Sequence, residues 1–112
     1  MTGADSRLPA RLEVSGLVRM VEAAGGFAMV LAKGEADAGT ILVVLVESGG
    51  NQRLFERMPQ VDGSRRWTLV KSEDVDSKEQ ISEYLSRRKQ QDRDLWILEL
   101  DIPHGERFIL NQ

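Results

Sequence analysis

The sequence predicts an α+β domain that runs helix, four-stranded antiparallel meander, helix, strand (αββββαβ), with the helices mainly on one face of the sheet. Three observations support this fold class. Residues 40–46 form an uninterrupted apolar run rich in β-branched side chains, which is typical of a central strand covered on both faces. Residues 14–24 and 78–91 place their apolar side chains at helical intervals. Four other short runs are bounded by turn residues and are therefore predicted strands.

The composition is that of a single soluble globular domain. The chain has 112 residues, 41% of them hydrophobic, and its formal net charge of −3 gives no general attraction to nucleic acid or anionic lipid. It contains no cysteine, which excludes disulfides and thiolate sites. Its longest apolar run is far shorter than the roughly 18 residues of a membrane span. We therefore expect a cytoplasmic protein with a disordered tail over residues 1–7 and one domain over residues 8–112.

Two helices are predicted from the apolar spacing. The first begins at Pro9 or at Ser15, residue types that suit a helix start, and ends at Gly25–Gly26. Glycine ends a helix well because it accepts the left-handed conformation that closes the last turn. The second helix spans residues 78–91 behind a capping box at Ser77–Gln80, and its narrow apolar stripe predicts a surface position. That stripe consists of Ile81, Tyr84 and Leu85.

Five strands are predicted, over residues 27–32, 40–46, 52–58, 65–71 and 95–102. We interpret the first two as a hairpin closed by the turn-rich segment 33–39. The third and fourth strands carry many charged side chains, which places them near a sheet edge. We expect the fifth strand to lie beside the first, and residues 106–110 to dock as a short strand or a helical turn.

The apolar second strand needs cover on both faces of the sheet. Two helices that pack mainly on one face of the sheet cannot cover both faces of this strand. Either the C-terminal residues 108–110 or a second subunit must cover the remainder, because uncovered apolar patches usually mark interfaces. A homodimer is therefore one expected arrangement.

Signatures of enzymes are weak in this sequence. The segment Gly34–Thr40 has the glycine spacing of a phosphate-binding loop, but it lacks the lysine and leads into a strand. His104 is the only histidine and lies in a predicted exposed turn, where an imidazole base is poorly held. Glu99 and Asp101 lie on one face of a strand, about 7 Å apart, a spacing that suits a carboxylate pair or a Mg²⁺ or Ca²⁺ site. Carboxylates on the solvent face of a strand are, however, far more often structural, and we expect no cofactor.

The basic residues form two groups along the sequence. One group lies on the third and fourth strands and the other at the end of the second helix. The candidate binding residues are Arg53, Arg57, Arg65, Arg66, Trp67, Arg87 and Arg88. If the two groups face each other, they form an arginine-rich surface on which Trp67 or Phe55 can stack RNA bases or nucleotides. A structural explanation competes with this one, because cations at the end of a helix are favoured by its dipole.

The sequence thus predicts a small non-enzymatic binding or interaction module that can self-associate. Its partner would be another protein or a second copy of the chain, docked on the arginine-bearing third and fourth strands. The alternative is an RNA- or nucleotide-binding protein that uses the arginine-rich surface. A second alternative is a metal-assisted hydrolase with Glu99 and Asp101 as its metal ligands.

A resemblance covers nearly the whole chain, from Leu8 to Phe108. The segments that carry it are Gly25-Gly26-Phe27, Val30-Leu31-Ala32-Lys33-Gly34, Asp37-Ala38-Gly39, Arg53-Leu54, Glu56-Arg57-Met58-Pro59, Arg65-Arg66-Trp67, Glu83-Tyr84-Leu85, Arg87-Arg88, Asp94-Leu95-Trp96 and Glu106-Arg107-Phe108. They are similar to a family of small alphaproteobacterial proteins, a domain of unknown function. The resemblance implies a bacterial cytoplasmic protein, and it implies no activity, ligand or site.

Overall fold

A computed structural model of the protein describes residues 8–59, 61–73 and 78–110, which form an open five-stranded mixed sheet with a helix on each face. In chain order the elements are α1 (Ala10–Ala23), β1 (Phe27–Ala32), β2 (Ile41–Glu47), β3 (Gly50–Pro59), β4 (Arg65–Ser72), α2 (Lys78–Gln91), β5 (Trp96–Asp101) and a 3₁₀ helix (Gly105–Phe108). These bounds agree closely with the predicted elements. The predicted tail over residues 1–7 and the capping serine Ser77 lie outside the described residues.

The strand order is β1-β5-β2-β3-β4, which corrects the predicted meander. β1 and β2 do not form a hairpin; β5 lies between them, antiparallel to β1 and parallel to β2. The connecting residues 33–40 are long enough to pass over one strand, because two strand spacings amount to only about 10 Å. The expected pairing of the last strand with the first is confirmed, and the charged β4 forms an edge of the sheet as predicted.

The two helices lie on opposite faces of the sheet, so the prediction that both lie mainly on one face is wrong. Alternate residues of β2, namely Ile41, Val43 and Leu45, pack in one cluster with α1. The other set, Leu42, Val44 and Val46, packs in a second cluster with Tyr84 and Leu85 of α2. We call these two surfaces the α1 face and the α2 face. The physical reason is that β2 is apolar on both sides, and each side needs its own cover.

β2 is buried along its whole apolar run within a single chain. On the α1 face, α1 contributes Val14, Leu17 and Val21 to the core. The C-terminal segment adds Ile109, which is 1% exposed, to this same face, and the other face is covered by α2 instead of by the C-terminal segment or a second subunit. The coverage of β2 therefore needs no second subunit, and the predicted homodimer needs a different basis.

The loop that connects β1 to β2 also caps the start of α1. The residue before the helix is Pro9, whose side chain has no oxygen with which to accept a hydrogen bond from a free helical amide. Main-chain carbonyls replace it: the amide of Ala10 donates to Asp37 O at 2.9 Å, and that of Arg11 donates to Ala36 O at 2.8 Å. The loop thereby fixes the position of α1 over the sheet.

The same loop packs tightly around the start of β5. Gly34 and Gly39 both approach the carbonyl oxygen of Asp94 so closely that a Cβ atom at either position would collide with it. The amide of Glu35 donates to that oxygen at 3.0 Å. The glycine spacing of this segment, which resembles a phosphate-binding loop, therefore serves close backbone packing.

None of the helices among residues 8–59, 61–73 and 78–110 has the length and apolar content that crossing a bilayer requires.

Candidate functional site

The structure places Arg53 and Arg57 of the predicted strand group and Arg88 of the predicted helix group on opposite faces of the sheet. Side chains of β3 alternate between the faces of the sheet, so Arg53 and Arg57 project on the α1 face while Glu56 projects on the α2 face. Arg88 of α2 reaches Glu56 on that second face. Arg53 and Arg57 therefore do not share a surface with Arg88.

Arg53 holds the C-terminal 3₁₀ helix to β3. Its Nε and a terminal nitrogen donate to the two carboxylate oxygens of Glu106 at 2.6 and 3.1 Å, and Glu47 lies 3.8 Å away. The arginine side chain is 12% exposed. The hydrogen bonds from Arg53 lower the pKa of Glu106 below its ordinary value, against an opposing contribution from burial. This geometry is that of a structural clamp.

Arg57 and Trp67 lie next to each other, as a binding surface would require, but the arginine side chain stacks on the tryptophan ring. The guanidinium of Arg57 lies 5.0 Å from the centre of the Trp67 ring. It also forms an ion pair with Glu13 of α1. The ring face that could stack a base is therefore covered on one side by a cation.

Arg88 forms the equivalent clamp on the α2 face. It donates to both carboxylate oxygens of Glu56, at 2.7 and 3.0 Å, and to the hydroxyl of Tyr84 at 2.9 Å. These hydrogen bonds raise the pKa of the Arg88 guanidinium further above its usual range. Lys71 and Arg87 also lie within 6 Å of the centre of the Tyr84 ring. α2 is thus fixed to the sheet by charge-assisted contacts as well as by its narrow apolar stripe.

The remaining predicted arginines, Arg65 and Arg66, are exposed at the start of β4. They occupy the edge strand, as their charge predicts. Arg65 borders a shallow depression with Glu13 and Gly39, whereas Arg66 lies next to the Asp62–Ser64 turn.

Glu99 and Asp101 share the α2 face, as predicted, but Asp101 has a structural role. Its two carboxylate oxygens accept hydrogen bonds from the amides of Ser48 and Gly49 at 2.8 and 3.2 Å. These bonds fix the turn between β2 and β3. Among the described residues, no group of three or more histidine, aspartate and glutamate side chains is placed to hold a metal ion.

The most unusual surface lies at the opposite edge of the sheet, on β1. This strand, Phe-Ala-Met-Val-Leu-Ala, contains no charged residue. Phe27 is 76% exposed and Met29 58% exposed, both on the α2 face, and Val30 is 44% exposed on the α1 face. Leu31, beside a shift in the β1–β5 register, is 45% exposed. In the described part of the chain β5 is the one strand that pairs with β1, so the outer edge of β1 is open.

A groove of about 660 Å³ lies beside β1 on the α1 face, between β1 and α1. Val14 and Val18 of α1, Val30 of β1 and the edge of Trp96 form its apolar floor. Arg11, Arg19 and Lys33 lie around it, with Glu22 as the one acidic lining residue. We call it the basic groove.

The cations of the basic groove differ in whether they have an ion-pair or hydrogen-bond partner. Arg11 forms an ion pair with Asp37 at 3.0 Å. Arg19 and the side chain of Lys33 have no ion-pair or hydrogen-bond partner within residues 8–59, 61–73 and 78–110. Two cations beside an apolar floor are thus available to an anionic group.

Sequence reasoning missed both β1 and the basic groove as candidate sites. The predicted sheet placed the first strand between the second and the fifth, where an apolar strand is expected, so no signal of an open edge was present in the sequence. No signal of the groove was present either, because the residues of the groove come from α1, the end of β1 and the start of β5.

Comparisons with known proteins identify relatives. Residues 8–110 match the family described as "Protein of unknown function (DUF1491)". A crystal structure of a DUF1491 family protein from Caulobacter crescentus is 33% identical, with a TM-score of 0.81, and the match covers 92% of this chain and 95% of that chain. The solution structure of a protein from A. tumefaciens is 32% identical, with a TM-score of 0.77 and 92% of each chain covered.

An NMR structure of a DUF1491 family protein from C. crescentus is also similar, with 34% identity, a TM-score of 0.78, and 91% of this chain and 92% of that chain covered. A search of curated proteins found no match. Both source organisms are alphaproteobacteria, so the family resemblance inferred from the sequence is confirmed.

Proposed function

The chain belongs to the DUF1491 family, whose description gives no activity, and from its geometry we propose that it is a non-enzymatic protein-interaction module. In this proposal the docking site is the open edge of β1, where an extended segment of a partner protein adds to the sheet as a sixth strand. The observation that carries the proposal is that one edge strand of the sheet is apolar and uncharged, whereas the other edge strand is charged.

The contrast between the two edge strands supports this choice. Natural proteins protect sheet edges with charged side chains and bulges, because an open edge pairs readily with other chains. β4 has both protections: Arg65, Arg66 and Lys71 lie on it, and its pairing with β3 is interrupted by a register shift. The pairing of β1 with β5 also has a register shift, but β1 carries no charge, and it exposes Phe27 and Met29. A strand left in this condition is typical of a site that another chain covers.

Strand addition also explains why β1 has exposed apolar residues on one face and the basic groove on the other. In this binding mode, main-chain hydrogen bonds provide affinity and pockets for alternate side chains provide specificity. One set of side chains of an added strand would point to the α2 face, beside Phe27 and Met29. The other set would point to the α1 face, where the basic groove begins at Val30. β1 thus has a recognition surface on each side of the sheet.

The engagement of the other polar residues favours a binding module over an enzyme. Arg53, Arg57 and Arg88 hold the helical elements to β3 through carboxylates. Asp101 holds a turn. These charged side chains thus stabilise the fold. The surface that has no such structural role is the apolar edge strand β1.

Self-association through the same edge is the second candidate, and the apolar character of β1 supports it. Two copies paired antiparallel about Met29 would bring the exposed Phe27, Met29 and Leu31 of one copy against those of the other. This arrangement would also place two basic grooves side by side, and like charges at close range oppose it.

A display experiment tests the proposal. A random peptide library is selected against the protein, and the affinity of a selected peptide is measured for two variants, Met29→Lys on β1 and Leu69→Lys on β4. Leu69 is a matched control because it is 52% exposed and lies on the opposite edge. We expect Met29→Lys to weaken binding by at least about tenfold and Leu69→Lys to leave it unchanged.

Two results would overturn the proposal: equal affinity of the selected peptide for both variants, or failure of the library to yield any binder together with a monomer at all concentrations in sedimentation velocity. A dimer that Met29→Lys dissociates and Leu69→Lys does not would support the edge and identify a second copy as its occupant.

A further inference from the structure

We infer that the segment bound at β1 carries acidic side chains at alternate positions and that the basic groove, through Arg19 and Lys33, selects them. This inference rests on the proposed docking site and specifies the chemistry of the partner. It concerns residues that lie on α1 and at the end of β1, away from the arginines that the sequence singled out.

The alternation of an extended chain places the groove within reach of every second side chain. Successive side chains of a strand point to opposite faces. Those of an added strand that point to the α1 face would follow the direction of Val30, which projects from β1 into the basic groove. The groove volume of about 660 Å³ is ample for side chains of a bound segment.

The composition of the groove specifies a side chain with an apolar stem and an anionic end. Val14, Val18 and Val30 would contact the methylene groups of a glutamate. Arg19 and Lys33 at the rim would then meet its carboxylate. A neutral segment would make no ion pair with these two exposed cations.

The fold fixes the backbone at Lys33 and the side chain of Arg11. The carbonyl of Lys33 accepts a hydrogen bond from Lys89 Nζ at 3.3 Å, which fixes the backbone while the Lys33 side chain extends towards the groove. Arg11, the third cation, is held by Asp37 in the loop that caps α1. Among the residues that the structure describes, the side chains of Arg19 and Lys33 have no such contacts, and an anionic partner would order them on binding.

Charge complementarity decides between a partner protein and a second copy. β1 itself contains no acidic residue, so a second copy paired through β1 would present only apolar side chains to the groove of its mate. It would also bring Arg19 and Lys33 of both copies closer together. In a segment that alternates acidic and apolar residues, the acidic side chains would pair with the cations of the groove on one face. The apolar side chains would cover the exposed Phe27 and Met29 on the other face.

The test uses two synthetic peptides with the same alternating pattern, one with glutamate and one with glutamine at the alternate positions. Binding is followed by NMR chemical-shift changes of the β1 amides and by Trp96 fluorescence in a Trp67→Phe background, since Trp96 borders the groove. We expect the glutamate peptide to bind at least about tenfold more tightly, with an advantage that shrinks as salt is added.

A charge-reversal pair identifies the residues involved. The double variant Arg19→Glu, Lys33→Glu should remove the advantage of the glutamate peptide and favour a lysine version of it. Arg66→Glu is the matched control, because Arg66 is an exposed cation on the far edge strand and should leave the preference unchanged.

The outcomes separate this inference from the proposed function. If both peptides shift the β1 amides with equal affinity, the charge selection is wrong and the docking edge stands. If neither peptide shifts the β1 amides, the docking edge itself is wrong. If octanoate, used as a small anionic probe, fills the groove and displaces the glutamate peptide at equal concentration, the occupant is a small amphiphile and the inference is overturned.

Discussion

The indole nitrogen of Trp96 donates a 2.7 Å hydrogen bond to the main-chain carbonyl of Glu35. This bond joins the start of β5 to the loop that connects β1 and β2. Because the same loop caps α1 through the carbonyls of Ala36 and Asp37, it links the three elements that enclose the basic groove. The geometry of the groove therefore depends on contacts that lie at one end of it.

Trp96→Phe should destabilise the protein by about 1–3 kcal/mol, because the Glu35 carbonyl loses its donor and the smaller ring leaves space. Chemical denaturation in urea measures the change. Trp67→Phe is the control, since Trp67 is only half-buried against the core and phenylalanine keeps an aromatic ring beside Arg57, so the loss should be about 0.5–1 kcal/mol. Equal losses for the two variants would contradict the role given to the Trp96 hydrogen bond.

Gly34→Ala and Gly39→Ala should each destabilise the protein by about 1–3 kcal/mol, because a Cβ atom at either position meets the Asp94 carbonyl and the backbone must shift. Gly16→Ala in α1 is the matched control. Its Cβ atom would meet nothing within 4 Å, so alanine should stabilise the helix by about 0.5–1 kcal/mol. Thermal unfolding that leaves the first two variants unchanged would disprove the close packing of the loop.

The Arg53–Glu106 clamp predicts a loss of stability in acid. The pKa of Glu106 is lower in the folded protein than its ordinary value of 4.5, so the carboxylate stabilises the fold above pH 4.5. This contribution is lost as the pH falls below 4.5 through the folded-state pKa. Glu106→Gln should therefore reduce stability at pH 7 and flatten its decline in acid.

Urea unfolding between pH 3 and pH 7 tests the clamp, with Glu83→Gln on the exposed side of α2 as the control. The control should retain the acid dependence of the natural chain. An identical decline in the Glu106→Gln variant would show that the clamp does not contribute to it.

Asp101→Ala should destabilise the protein by about 1–3 kcal/mol in buffer with a chelator, because the amides of Ser48 and Gly49 lose a charged acceptor. Glu99→Ala should change stability by no more than about 0.5 kcal/mol. If Mg²⁺ raises the melting temperature of the natural chain but not that of Asp101→Ala, the carboxylate binds a metal and its structural role is secondary.

Local periodicity was enough to predict the helices and strands of this chain. The bounds of α2 and the alternation of Trp96, Leu98 and Leu100 towards one core follow from spacing alone. The strand order did not follow, because a hairpin and a pair of strands separated by β5 have the same local sequence. The side of the sheet covered by α2 depended on contacts such as Arg88–Glu56, which join residues distant along the chain.

The candidate site was less predictable for the same reason. The pairing of Arg57 with Trp67 lies within a local hairpin and could be anticipated. The basic groove assembles Arg19 from α1 with Lys33 from the end of β1, and no spacing in the sequence relates them. The exposure of Phe27 followed from its edge position, which only the sheet order reveals.

Strand addition at β1 is tested most directly by NMR of the protein bound to a display-selected peptide. We expect cross-strand contacts between the Hα protons of the peptide and those of Phe27–Ala32, with slowed hydrogen exchange at the outward amides of β1. Contacts to β4 or α2 alone, with exchange at β1 unchanged, would contradict it.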